Sequence, residues 1–229
     1  MRRNIEDVRA RIGRACDKVG RDPAGVRLMG VTKRKPVEVV MAACRAGLVD
    51  LGENYAQELA TKAGQVDEAG LSPRWHFIGA LQTNKVRSIA GLVTSIHSVD
   101  RPSLVKELAK RVTPERPVDV FVEVGIAGEE QKSGVNPSRA EALCIGVMEA
   151  PCLRLAGLMA VPPFGRDPEE SRPWFRALRD LRDRLTDTLE PGPGVLDQLS
   201  MGMTGDLEVA VEEGATVVRV GTALFGPRD

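Results

Sequence analysis

Apolar positions along this chain alternate between two periods, one near 3.6 residues and one near 2. Ile5, Val8, Ile12, Cys16 and Val19 recur at helical spacing, which predicts an amphipathic first helix stopped at Gly20-Arg21-Asp22-Pro23. Short runs rich in β-branched and apolar residues then predict strands over Val26–Thr32, Leu48–Gly52, Trp75–Gly79, Val93–His97, Val118–Ile126, Leu153–Val161, Leu196–Met201 and Thr216–Gly221. Between them, helical patterning covers Pro36–Ala46, Tyr55–Ala63, Asn84–Ala90, Ser103–Val112, Pro137–Met148, Pro168–Leu189 and Leu207–Glu213. The longest of these has Asp167 as N-cap and Pro168 at its first position. Trp174, Leu178, Leu181 and Leu185 mark its buried face, and Pro191-Gly192-Pro193-Gly194 ends it. A short tail, Ala223–Phe225, follows the last strand.

Eight strands alternating with helices predict an α/β protein, a single (β/α)8 TIM-type barrel with an extra N-terminal helix. An open doubly wound sheet is the other arrangement of such units, but no GxGxxG follows the first strand. No linker, internal repeat or low-complexity tract divides the chain, so residues 1–229 are expected to form one domain.

Charge narrows the function classes. With 32 basic and 32 acidic residues the formal net charge is zero, which gives no electrostatic case for nucleic acid or an anionic membrane. Cys16, Cys44, Cys144 and Cys152 form no CxxC pair, and a chain of this size needs no disulfide staples. Reduced thiols in the cytoplasm are expected. The two histidines, His76 and His97, sit in separate segments and form no metal-ligand cluster. Arg2 and Arg3 precede no apolar h-region, and no stretch is long enough to span a bilayer.

In a barrel, the residues just past each strand converge on one face, and polar residues and glycines gather at those positions here. Strand one ends at Lys33. A lysine amine there can condense with an aldehyde, pyridoxal phosphate (PLP) above all; the alternative is a solvated strand-end lysine. If the strand continues to Lys35, both lysines point inward and Arg34 outward. A neighbouring ammonium then favours the neutral, nucleophilic amine. Asn54 follows strand two, either reaching a ligand or capping the next helix. Strands seven and eight end in Ser200-Met201-Gly202-Met203-Thr204-Gly205 and Gly221-Thr222, where barrels commonly bind phosphate. Ser200, Thr204 and Thr222 offer hydroxyls, and the glycines either admit an anion or merely make turns.

Arg219 shares a strand face with Val217 and Gly221, which places a guanidinium inside the barrel, where it needs a partner. A pyridine nitrogen would serve; so would a carboxylate such as Glu53 or Asp197. Because guanidinium only donates, that nitrogen would stay largely unprotonated and the ring would be a weaker electron sink. His76 is read as a hydrogen-bonded core residue, His97 as structural, Gln82-Thr83-Asn84 as a cap, Lys132 as a solvated loop residue and Glu129-Glu130 as a surface charge pair.

Together these segments resemble the pyridoxal phosphate homeostasis protein family, relatives of the alanine racemase N-terminal barrel. The resemblance rests on Val31–Pro36, Gly52–Glu58, Trp75–Lys85, Lys132-Ser133-Gly134, Gly157–Ala160, Leu199–Met203 and Val218–Gly226, in order along nearly the whole chain. It implies that Lys33 carries PLP as a Schiff base and that Arg219 faces the pyridine nitrogen. It further implies that Ser200, Gly202, Gly221 and Thr222 hold the phosphate; Asn54 is expected among the cofactor-binding residues from its place after strand two. A monomeric cytoplasmic protein is implied, one that buffers or delivers PLP to apoenzymes and has no assigned reaction. One departure is Thr204-Gly205-Asp206 in place of the usual serine-containing segment. A racemase-type enzyme is the alternative. It needs an acid/base on each face of the cofactor, and by resemblance the second is a tyrosine from a further domain, for which this chain is expected to have no room. Tyr55 is the only tyrosine. An interaction module finds no support in so balanced and aromatic-poor a composition.

Overall fold

A computed structural model describes residues 1–127, 133–163, 165 and 167–227. The chain runs α1 (Arg2–Lys18), β1 (Arg27–Val31), α2 (Val37–Arg45), β2 (Asp50–Glu53), α3 (Ala56–Glu68), β3 (Arg74–Phe77), α4 (Val86–Ile89) and β4 (Ser95–Val99). It continues with α5 (Pro102–Ala109), β5 (Val118–Glu123), α6 (Ala140–Met148), β6 (Leu153–Met159), α7 (Arg172–Leu189), β7 (Gln198–Ser200), α8 (Leu207–Glu212), β8 (Val217–Val220) and α9 (Thr222–Phe225). The strands close in chain order into a parallel barrel, β8 pairing with β1 through Met29↔Arg219 and Gly30↔Val220. The expected barrel and its extra first helix are therefore observed.

Two apolar layers follow from strand alternation. Residues such as Leu51, Val120, Leu158 and Val218 face the helices and form the main core, whereas Met29, Phe121, Met159 and Val217 fill the barrel interior. Arg219 lies two residues from Val217 and is buried on the same inner face. α1 buries Ile5, Val8, Ile12, Ala15 and Cys16 against α8 and α9. Val19 falls outside this stripe: the helix stops at Lys18 and Val19 is exposed. In α7 the face is Phe175, Leu178, Leu181 and Leu185. Phe175 takes the place expected of Trp174, because 3.6-residue spacing from Leu178 and Leu185 puts Phe175, not its neighbour, over the sheet. Asp167 caps as expected, accepting from the Glu169 N–H at 2.9 Å in a capping box with Glu170. All four cysteines are free thiols, and burial pushes the Cys144 thiol up to about 12. No helix among the described residues is long and apolar enough to cross a membrane.

Glu213 ties α7 to the end of α8. Its carboxylate, almost fully buried, accepts from Arg172, Arg176 and Arg179 at 3.0, 3.0 and 2.8 Å. Burial pushes its pKa up, but the hydrogen bonds from Arg176 and Arg172 outweigh that and hold it below the ordinary value. A carboxyl lowered in the folded state adds stability above its unfolded pKa, and that stability fades as pH falls through the folded value. Glu213→Gln is therefore expected to lower Tm at neutral pH by about 2–4 °C. The difference from wild type should shrink below about pH 4, as read by thermal unfolding at the two pH values.

Candidate functional site: the cavity at the carboxyl ends of the strands

A cavity of about 480 Å³ opens at the carboxyl ends of the strands. Its wall includes Val31 and Lys33 after β1, Asn54 after β2, Ile78 after β3, Val161 and Pro163 after β6, Met203–Asp206 after β7, and Arg219, Gly221 and Thr222 from β8 and its end. The structure thus brings Lys33, Asn54, Arg219, Gly221 and Thr222 to one cavity.

Lys33 sits in a tight turn rather than on a continued strand. β1 ends at Val31, the Lys35 N–H donates to the Thr32 carbonyl at 3.0 Å, and Arg34 adopts φ 58°. The inward–outward alternation expected for Lys33, Arg34 and Lys35 is therefore broken. Lys35 still reaches the cavity wall, but its Nζ donates to the Pro227 carbonyl at 2.7 Å, pinning it to the C-terminal segment.

The turn is held from below by a buried ion cluster. Lys62 Nζ donates to the Thr32 carbonyl at 2.7 Å, to Glu53 Oε1 at 2.8 Å and to Glu58 Oε1 at 2.6 Å. Thr32 Oγ1 donates to Glu53 Oε1 at 2.7 Å, and the Arg34 N–H donates to Glu58 Oε1 at 2.6 Å. Both neighbours of Lys33 are clamped. Sequence reasoning missed Lys62 and Glu58. The signal was there: Lys62 shares the buried face of α3 with Leu59, Ala63 and Val66, and a lysine on an apolar stripe requires a buried acid.

Asn54 does not cap α3, whose N-cap is Tyr55 and has no side-chain bond. Its Oδ1 is buried with no hydrogen-bond partner and belongs to the cavity wall. Gly79 permits this placement: a Cβ there would lie 2.2 Å from the Asn54 carbonyl oxygen. Tyr55 points away, exposed, its hydroxyl accepting from Arg34 at 3.2 Å, and it is not part of the cavity wall.

Arg219 donates from Nη1 to the Ser200 carbonyl at 2.6 Å and to Ser200 Oγ at 2.8 Å, and from Nη2 to the Ala160 carbonyl at 2.9 Å. Neither Glu53 nor Asp197 meets it among the described residues; Glu53 is taken by Lys62. Burial pulls the guanidinium down to about 10, offset by Glu123 and Asp206, so it remains a cation at neutral pH. These bonds leave Nε–H and one Nη2 hydrogen for a ligand.

Two of the residues expected at the phosphate, Ser200 and Gly202, do not line this cavity. Ser200 is fully buried in β7, with its hydroxyl between His97 and Arg219, below the cavity. Gly202 makes the turn beneath the wall. Its φ is 91° and a Cβ would lie 2.4 Å from Ala210 Cβ, so glycine is required there by packing. The wall of that loop is instead Met203, Thr204, Gly205 and Asp206, opposite Gly221 and Thr222. Among the described residues, no atom beyond the chain neighbours lies within 4 Å of a Cβ built on Gly205, and one on Gly221 meets only ordinary contacts, so this rim is open. Asp206 Oδ1 accepts from the Met203 N–H at 2.7 Å, which fixes the loop. Ser133 donates to the buried Glu123 at 2.6 Å, whereas Lys132 and Glu129-Glu130 lie outside the described residues.

Comparison with known proteins fits this geometry. The alanine racemase N-terminal domain family matches residues 2–229. A pyridoxal phosphate homeostasis protein of Aquifex aeolicus is 45% identical over 225 residues, which is 98% of this chain and 96% of that protein. One from Pseudomonas aeruginosa is 46% identical over 227 residues, 99% of this chain and 95% of that protein. Among solved structures, PipY of Synechococcus elongatus with PLP bound superposes with a TM-score of 0.80 at 30% identity, covering 94% of this chain and 100% of that one. An alanine racemase from Corynebacterium glutamicum shares the fold, with a TM-score of 0.67 at 16% identity, over 97% of this chain and 61% of that one. By sequence and by barrel, the chain belongs to the pyridoxal phosphate homeostasis protein family, within the alanine racemase N-terminal domain group.

Proposed function

We propose that this protein binds PLP at the barrel mouth, holds it as a Schiff base on Lys33, and serves as a cytoplasmic, monomeric buffer or donor of the cofactor to PLP-dependent apoenzymes. The observation that carries this reading is the convergence of Lys33, Asn54, Arg219 and the Thr204–Gly205/Gly221–Thr222 rim on one cavity. The residues present fit the group. The buried Asn54 Oδ1 lacks a donor, which a ring hydroxyl supplies. Arg219 keeps free N–H groups at the wall for an acceptor such as a ring nitrogen. The open rim at Gly205 and Gly221, with the Thr204 and Thr222 hydroxyls, suits an anion. When bound, the cofactor supplies an aldehyde that condenses reversibly with an amine. Relatives that carry the homeostasis name, and a relative solved with PLP bound, support the same conclusion.

The chain's own residues hold rather than convert. The Lys62 clamp fixes the turn that presents the lysine. Arg219 is a donor, so it leaves an accepting ring nitrogen unprotonated and makes the ring a weaker electron sink, a feature that by resemblance alanine racemases share and that does not by itself separate carrier from enzyme. Tyr55, the only tyrosine, is outside the cavity wall, and a two-base racemisation has no second base there of that kind.

Reduction of the PLP-loaded protein with borohydride, followed by peptide mass mapping, is expected to place one pyridoxyl group on Lys33; an adduct on any other lysine refutes the assignment. In deuterated water, L-alanine is expected to show no exchange of its α-hydrogen with the loaded protein. Measurable exchange would restore the enzyme reading.

A further inference from the structure

Six buried side chains run through the barrel interior as one unbroken line of hydrogen bonds. Asp50 Oδ1 meets His76 Nε2 at 2.9 Å, and His76 Nδ1 meets Ser95 Oγ at 2.6 Å. Ser95 Oγ meets His97 Nε2 at 2.7 Å, and His97 Nδ1 meets Ser200 Oγ at 2.8 Å. Ser200 Oγ accepts from Arg219 at 2.8 Å. The line joins the two ends of the barrel: Asp50 lines a second cavity of about 340 Å³, beside Arg9, Arg27 and Leu48, and Arg219 lines the cofactor cavity. His97 is held in place by stacking on Phe121, ring centroids 4.0 Å apart.

With two neutral rings, the direction of every bond is set from the Asp50 end. The Asp50 carboxylate accepts only, so His76 carries its proton on Nε2 and its Nδ1 accepts the Ser95 hydrogen. Ser95 Oγ then accepts from His97 Nε2–H, and His97 Nδ1 accepts the Ser200 hydrogen. The other end is compatible: Arg219 can only donate, and the Ser200 oxygen accepts from it. Burial holds both histidines below their ordinary pKa, which agrees with two neutral rings. Asp50 is held low: burial raises it, but hydrogen bonds from His76 and Arg74 outweigh that.

We propose that this one-way relay makes Ser95 and His97, neither of which touches the cavity, positioning residues for Arg219, holding its guanidinium against the ring nitrogen of a pyridine-type ligand. The ligand half of this inference rests on the PLP reading above; the tautomers do not. Without the relay, Ser200 Oγ has no fixed orientation and Nη1 loses a directed acceptor, so the guanidinium is held by the Ser200 and Ala160 carbonyls alone and less tightly aimed at the ring.

Histidine side-chain nitrogen NMR of the unliganded protein is expected to show both rings as neutral Nε2–H tautomers at neutral pH. Addition of PLP should shift the His97 nitrogens, although His97 is two hydrogen bonds from the cavity wall. Ser95→Ala should move the His97 proton toward Nδ1, weaken PLP binding about three- to tenfold, the worth of one hydrogen bond, and shift the absorption band of the bound cofactor. A purely structural serine would lower Tm and leave both the band and the affinity alone. The proposal is overturned by a native Nδ1–H tautomer at His97. It is equally overturned by a Ser95→Ala protein with a flipped tautomer and unchanged PLP affinity and spectrum. Should Ser95→Ala not fold, the titration of the unaltered protein decides. PLP uptake with silent His97 nitrogens overturns the positioning role alone, and no uptake at all overturns the cofactor reading and the positioning role with it.

Discussion

Lys33→Ala is expected to abolish the borohydride-fixed pyridoxyl adduct and the visible absorbance of the loaded protein, leaving only weak, reversible PLP binding through Asn54, Arg219 and the rim. Among the described residues, the other lysine on the wall is Lys35, and its amine is committed to the Pro227 carbonyl at 2.7 Å. The fold should survive the change. The turn is clamped at Thr32 and Arg34, on either side of Lys33, and the barrel ladder ends at Val31. Absorbance spectra and mass mapping of adducts check the first expectation, and thermal unfolding of the unliganded variant checks the second. A variant that still forms a reducible adduct would refute Lys33 as the attachment point. So would a native protein that stays colourless in excess PLP.

The largest expected loss of stability comes from Lys62→Met. Lys62 is nearly buried and Glu53 completely so, and Lys62 is the only cation that meets Glu53 among the described residues. Removing it strands a carboxylate in the protein interior, which costs about 3–5 kcal/mol and corresponds to a fall in Tm of about 6–20 °C. The pH dependence identifies the cause. Burial already pushes Glu53 above its ordinary pKa despite hydrogen bonds from Lys62 and Thr32, and losing Lys62 pushes it further. A carboxyl raised in the folded state favours folding when protonated. Its destabilising effect appears as pH rises from the unfolded pKa through the folded one, so the variant should regain stability on acidification. Adding Glu53→Gln should recover at least about half of the loss, because a buried pair removed together costs little. Urea unfolding of the single and double variants across pH is the measurement, and a loss independent of pH and unrelieved by Glu53→Gln would refute the account. The single variant should also hold PLP less tightly, since the clamp on the Thr32 carbonyl and on Glu58 goes with it.

The structure also shows where Ser200 stands. A hydroxyl two residues before a glycine at the end of strand seven was expected on phosphate. Its side chain lies between His97 and Arg219 and is not part of the cavity wall, on which Thr204 stands. A linear segment does not say which of its residues turns toward the cavity and which turns away.

From its sequence alone, the chain determined its alternation of strands and helices, the closure expected of eight such units, and the gathering of lysine, arginine, glycine and hydroxyl residues at the strand ends. Those properties follow from local periodicity and strand polarity, which a linear pattern carries. Only the tertiary structure decided that β1 stops at Val31 and turns before Lys35, that Asn54 faces the cavity with an unpaired oxygen, and that Lys62 clamps the turn from α3. It alone joined Asp50, His76, Ser95, His97, Ser200 and Arg219 across the interior. The physical reason is range. Helix and strand preferences are set within a few residues. A buried hydrogen bond is set by which distant groups closure brings within about 3 Å, and by the cost of leaving any of them unpaired.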